Sequence, residues 1–316
     1  MPLRKVHIPS LARRLSCLMA APSSADAATH AAGLDTYHAV GGDSYHLHGE
    51  GGETHSRQAT GDWLRLQGRR EQSFVCTQVC HDAWDAVALR PVDRFTPWAV
   101  LEDITADLAL LGIDFIDMVY LDDRPGADFT GVLEALASEI AAARIQAVGL
   151  RNWTPDRIRA AHDYAVRMEL PRCVAIVTTE MALFTPTAPL WPGYVPFDAG
   201  LRSVVRELGL AVFAHVDDLT IGQSLFADAE ARDALRPEWL ERWRTPDNMT
   251  LKQQVQALAA TIGASAREIN VAWLLTQDFP VIGIIGVPAL LGKHGPSYER
   301  AAQLSGAAEL AALKCV

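Results

Sequence analysis

The chain has 316 residues, 49% of them hydrophobic, and a formal net charge of -10, with a pI near 5.4. Nucleic acid and anionic membranes both require a basic face, so this balance argues against either partner and for a protein that handles a small-molecule substrate. The five cysteines are odd in number and lack metal-type spacing, which argues against a disulfide framework and for a reducing, cytoplasmic setting.

In chain order, short apolar runs alternate with amphipathic stretches from end to end. The runs at 14–20, 34–38, 73–79, 114–121, 145–150, 173–179, 210–216 and 281–286 read as strands. The first follows a basic start, yet its apolar core is too short to favour a secretion signal over a first strand. No stretch approaches the roughly 18 apolar residues of a membrane span. Helical patterns lie between the strands, among them "SRQATGDWLRLQG", "TPWAVLEDITADLALLG", "TGVLEALASEIAAA" and "TPDRIRAAHDYAVRMEL". Thr96-Pro97 and Thr154-Pro155 place a capping hydroxyl before a proline of the first turn, and Gly112 closes a helix. Eight strands alternating with helices predict one parallel (β/α)8 barrel, a TIM barrel, spanning residues 1–316 as a single domain.

In such a barrel the chemistry sits at the carboxyl ends of the strands. That rule selects Asp35, Gln78, His81, Asp122, Arg151, Asn152, Glu180 and His215. The segment "YHLHGEGGETH" offers His46, His48 and His55 as a metal-binding alternative, but a histidine pair in a glycine-rich loop is more simply a solvated surface, so no metal is expected. Trp84 follows the third strand and, with Val40, would give an apolar floor to a substrate pocket.

Taken together, "LDTYHAVGG", "GRREQSFVCTQ", "DLALLGIDFIDMVYLDD", "EALASEIAAARIQAVGLRNWTPDRI", "FAHVDDLTIGQSLF" and "ATIGASAREINVAWLLTQDFPVIGIIG" resemble the aldo-keto reductase family over almost the whole chain. The resemblance implies a (β/α)8 barrel and hydride transfer between a nicotinamide cofactor and a carbonyl. It also implies a tetrad of aspartate, proton-donating tyrosine, lysine and histidine. On the strand at 34–38 the aspartate is Asp35, and the tyrosine's place five residues on holds Val40; the lysine's place holds Gln78 and the histidine's Asp122. The cofactor-contact positions hold Arg151-Asn152-Trp153, Glu180 and His215, and only Lys293 and His294 follow the eighth strand as phosphate-binding candidates.

With one tetrad member of four retained, the favoured expectation is a barrel turned to non-redox chemistry without a cofactor: a dehydration, isomerisation or cyclisation. Asp35 or Asp122 would be the base, His215 or Glu180 the acid, and Arg151 or Asn152 the stabiliser of negative charge on oxygen. Tyr37, Val40, Gln78, His81 and Trp84 would line the pocket. One alternative is an NADP-dependent carbonyl reductase with a rearranged site, in which Tyr37 or Tyr45 donates the proton. The other is a barrel that binds a ligand or partner without turnover. The oligomeric state stays open.

Overall fold

The computed structural model describes residues 2–22, 26–47, 54–81, 83–85, 90–179, 181–188, 193–216, 241–286, 295–304, 310 and 313. Eight parallel strands close into a barrel: β3 (Leu18–Ala21), β4 (Ser44–Leu47), β5 (Phe74–Val79), β8 (Met118–Asp122), β9 (Val148–Arg151), β10 (Ala175–Thr178), β11 (Ala211–His215) and β12 (Val281–Gly286). This is the expected (β/α)8 architecture. Two antiparallel hairpins lie outside the barrel wall, β1 (Lys5–Ile8) with β2 (Arg13–Ser16), and β6 (Ala83–Asp85) with β7 (Arg90–Val92). The run at 14–20 therefore covers parts of two strands, the second arm of the first hairpin and the first barrel strand.

Strand alternation sorts the apolar side chains into two groups. Met19, Phe74, Cys76, Met118, Tyr120, Ala175, Val177, Ala211, Phe213, Ile282 and Ile284 fill the barrel interior, and Ile8 and Leu15 of the first hairpin join them. The other parity, including Leu18, Tyr45, Val75, Val119 and Val212, packs outward under the helices. The hairpin thus plugs the amino end of the barrel and leaves the carboxyl ends of the strands as the face for chemistry.

The helices follow their capping signals. α3 (Pro97–Leu111) begins at Thr96, whose side chain accepts from the Ala99 amide, and ends at Gly112 with φ +61°. α5 (Pro155–Arg167) begins at Thr154 in the same way. α8 (Ala266–Leu274) carries a complete capping box between Ser265 and Glu268. α2 (Thr54–Leu66) crosses α3 at Gly61, where an added Cβ would lie 2.1 Å from the Leu111 carbonyl oxygen. Among the described residues no helix is long and apolar enough to cross a membrane.

One expected strand is a helix. Residues 34–38, "LDTYH", lie inside α1 (Ala27–Ala39), and the second barrel strand is "SYHL" at β4. Alternation over five residues fits a strand, but the longer window is helical: the buried positions are His30, Gly33, Leu34 and Tyr37, one face of a 3.6-residue period. Asp26 caps the start by accepting from the Thr29 amide at 2.7 Å.

Candidate active site

The helix at 27–39 moves three expected site residues away from the strand ends. Asp35 is exposed on α1 and accepts from the Trp63 indole at 2.9 Å. Tyr37 is fully buried; its hydroxyl donates to the Leu18 carbonyl at 2.7 Å and lies 2.9 Å from the Ser16 hydroxyl, beside the first hairpin. Val40 caps α1 and accepts from the Leu3 amide. Asp35 as base, and Tyr37 and Val40 as pocket lining, are therefore corrected: all three belong to a helix that packs outside the barrel. Tyr45 also points outward, against Tyr37 and Trp63. Burial drives the phenols of Tyr37 and Tyr45 well above the ordinary tyrosine range, so neither suits proton donation.

The strand that the resemblance expects to carry the tetrad aspartate is β4, and its inward-facing residue at the carboxyl end is His46. Five residues further stands Gly51, outside the described residues. His46, read from sequence as part of a loop, is 1% exposed inside the barrel. Its imidazole stacks on the Tyr120 ring with centroids 5.1 Å apart and planes 13° apart. On its other side it meets His215, the last residue of β11, edge to face at 5.0 Å. The clue in the sequence is the alternation of "SYHL" directly after the Gly41-Gly42 break: Tyr45 and Leu47 face the helices, and polar Ser44 and His46 face the interior.

Beside this ring column sits a polar cluster at the ends of β5, β8 and β9. The register places Asp122 opposite Arg151. Arg151 Nε donates to Asp122 Oδ1 at 2.6 Å, and Nη2 donates to Oδ2 at 2.5 Å. The Asn152 amide adds a bond to Oδ1 at 3.1 Å, and the Gln78 amide one to Oδ2 at 3.2 Å. Four donors thus occupy one carboxylate. Burial alone would lower the pKa of Arg151, but Tyr120 and the hydrogen bonds and charge of Asp122 outweigh it and raise the pKa, so the guanidinium stays charged. Its plane also lies over the Tyr120 ring, 5.1 Å from the centroid.

A carboxylate with both oxygens doubly engaged anchors the side chains around it, and it is the partner of a buried cation. Asn152 reaches the cluster from a left-handed conformation, φ +60°, which asparagine tolerates better than most residues. Strain of this kind, about 1 kcal/mol or more, concentrates at functional sites.

Other expected site residues fall elsewhere. His81 lies 3.4 Å from Asp103 of α3, a carboxylate shared with Arg94. Trp84 stands opposite Pro91 in the β6–β7 hairpin, and its side chain lies outside the described residues, as do Glu180, His48, Lys293 and His294. His55 is on α2, and among the described residues no three potential metal-ligating side chains converge. The structure therefore brings together Gln78, Asp122, Arg151, Asn152 and His215, and adds His46 and Tyr120.

The closed parallel barrel thus carries a buried ionic and imidazole cluster at the carboxyl ends of its strands, the face where enzymes of this fold keep their chemistry. The family model for the aldo/keto reductase family matches residues 36–290, and the chain belongs to that family. It is 22% identical over 247 residues to the protein named Aldo-keto reductase yakc [NADP(+)] of Schizosaccharomyces pombe, a match covering 73% of this chain and 66% of that protein, just under two thirds of its length.

Proposed function

We propose that the protein is an NADP-linked oxidoreductase acting on a small carbonyl or hydroxyl compound, with its proton-transfer groups rearranged. Family membership across residues 36–290 carries this reading, and the NADP named for the yeast relative supports the choice of cofactor. It replaces the cofactor-free expectation as the better supported one.

The described strand ends fit the nicotinamide end of such a cofactor. Asn152, directly after β9, supplies an amide in a left-handed backbone conformation, and it would hold the carboxamide. When bound, the cofactor supplies or accepts hydride.

The chain must then manage the proton and the developing charge. His215, 8% exposed, lies nearer the surface than His46, 1% exposed, so His215 would exchange the proton with substrate and His46 would stand behind it. Imidazole suits this task because its ordinary pKa lies closest to neutrality. Arg151 is fixed by Asp122 as a pre-aligned ion pair that needs no reorganisation, an arrangement that lowers the barrier when charge develops nearby.

The imidazole pair also favours a second reading, proton transfer without hydride transfer, as in an isomerisation or dehydration. Titration with NADPH and NADH, read by cofactor fluorescence and thermal stability, separates the two. A stabilising shift at sub-millimolar NADPH, followed by NADPH consumption with a panel of small aldehydes and ketones, is the expected result. Absence of binding up to millimolar cofactor would remove the redox reading and leave the acid-base one.

A further inference from the structure

We propose that Tyr120 is a positioning residue for the imidazole pair, fixing the ring of His46 and setting its proton uptake and, through edge contact, that of His215. The inference rests on the reading of these imidazoles as the proton carriers of the site.

Four planar groups line up across the interior. The Arg151 guanidinium lies 5.1 Å from the Tyr120 centroid, Tyr120 stacks on His46 at 5.1 Å and 13°, and His46 meets His215 at 5.0 Å and 89°. They come from β9, β8, β4 and β11, so the column spans the barrel rather than following one wall. Tyr120 is fully buried, and its hydroxyl lies 3.5 Å from Gln78 Oε1, at the limit of a hydrogen bond. Its contacts with Arg151 and His46 are made by the ring.

That geometry has an electrostatic consequence. The face of a phenol ring is negative and attracts a cation, whether guanidinium or imidazolium. Among the described residues, the titratable and charged groups placed around His46 include Tyr120 from β8, His215 from β11, Cys76 opposite it in the register on β5, and the Arg151–Asp122 pair on the Tyr120 ring. Asp122 balances the charge of Arg151, so the Tyr120 ring is left to favour a proton on His46 and to separate that proton from the guanidinium. An aliphatic side chain in its place would do neither. The His46 titration midpoint should then fall by about one pH unit or more, the size expected from losing one cation–π contact shielded from water.

The test is an NMR titration of the histidine rings in the full chain, with signals assigned through His46→Asn and His215→Asn, comparing wild type with Tyr120→Phe and Tyr120→Leu. The expected result is midpoints near wild type for Tyr120→Phe, and a lower His46 midpoint with a displaced His215 midpoint for Tyr120→Leu. An unmoved His46 midpoint in Tyr120→Leu overturns the inference. So does a Tyr120→Phe variant that matches Tyr120→Leu, since the hydroxyl would then be responsible. If Tyr120→Leu does not fold, Tyr120→Met keeps an unbranched apolar chain in the same space and is read by the same criteria. Failure of NADPH to bind wild type would remove the redox reading without altering this titration, so the two ideas fail separately.

Discussion

Asp122 and Arg151 stand directly opposite each other on neighbouring strands and form a two-pronged ion pair, with Asn152 and Gln78 donating to the same carboxylate. Removing only the carboxylate, as in Asp122→Ala, strands a buried guanidinium and should cost about 3–5 kcal/mol of stability. The double variant Asp122→Leu/Arg151→Met should recover most of that loss, because the penalty comes from the unmatched charge. Urea denaturation of the single and double variants checks this; a double variant as unstable as the single one would count against it.

Tyr37 predicts a different outcome, because it lies beside the first hairpin and away from the strand ends. Tyr37→Phe leaves the buried Leu18 carbonyl and the Ser16 and Ser44 hydroxyls short of a partner. A loss of about 1–3 kcal/mol is expected, with cofactor affinity and turnover unchanged. A collapse of turnover in a stably folded Tyr37→Phe protein would restore it as a proton donor.

The crossing of α2 and α3 tolerates no side chain at position 61. Alanine would improve helix propensity by about 1 kcal/mol, but its Cβ would fall 2.1 Å from the Leu111 carbonyl oxygen, a backbone atom that cannot turn aside. Gly61→Ala should therefore be net destabilising by about 2 kcal/mol, read as a lowered thermal midpoint. An unchanged midpoint would mean that the two helices part at little cost.

Alkaline pH should weaken the fold through its buried thiols. Burial pushes Cys17 up to about 11 and Cys80 up to about 12, from an ordinary value of 9.0. Both pKa values are higher in the folded chain, so the protonated thiols stabilise it fully below about pH 9. That contribution is lost as pH rises from there toward 11 and 12, at about 1.4 kcal/mol per pH unit for each thiol. Denaturation under reducing conditions at pH 8 and pH 10 should show the decline, and Cys17→Ala/Cys80→Ala should remove about half of it, because burial raises the thiols of Cys76 and Cys173 in the same way.

The barrel was legible because seven of its strands are apolar on both faces over most of their length, as in "FVCTQV" and "VIGIIG". The second strand was not. In "SYHL" the inward positions are polar, and that halved the apolar signal at the very place where the interior has a polar task. A neighbouring helix with a short alternating segment then took its place and brought Asp35, Tyr37 and Val40 with it. Gln78, Asp122, Arg151, Asn152 and His215 could be placed at the mouth because strand ends alone select them. Their mutual pairing could not be read in the same way, because it depends on the stagger between β8 and β9, which no local pattern records.

Barrel closure joins residues far apart in the chain: Leu18 of β3 pairs with Gly283 of β12, and the Gly283 amide bonds the Cys17 carbonyl at 2.8 Å. During synthesis β3 emerges early and must wait for nearly all the other strands before its second neighbour exists. Until then the growing sheet has an open edge, a template for pairing with other chains. Because contacts of this range form slowly, aggregation of the half-made barrel competes with its completion. Slower translation or lower temperature should therefore raise the yield of folded protein without changing the stability of the finished molecule.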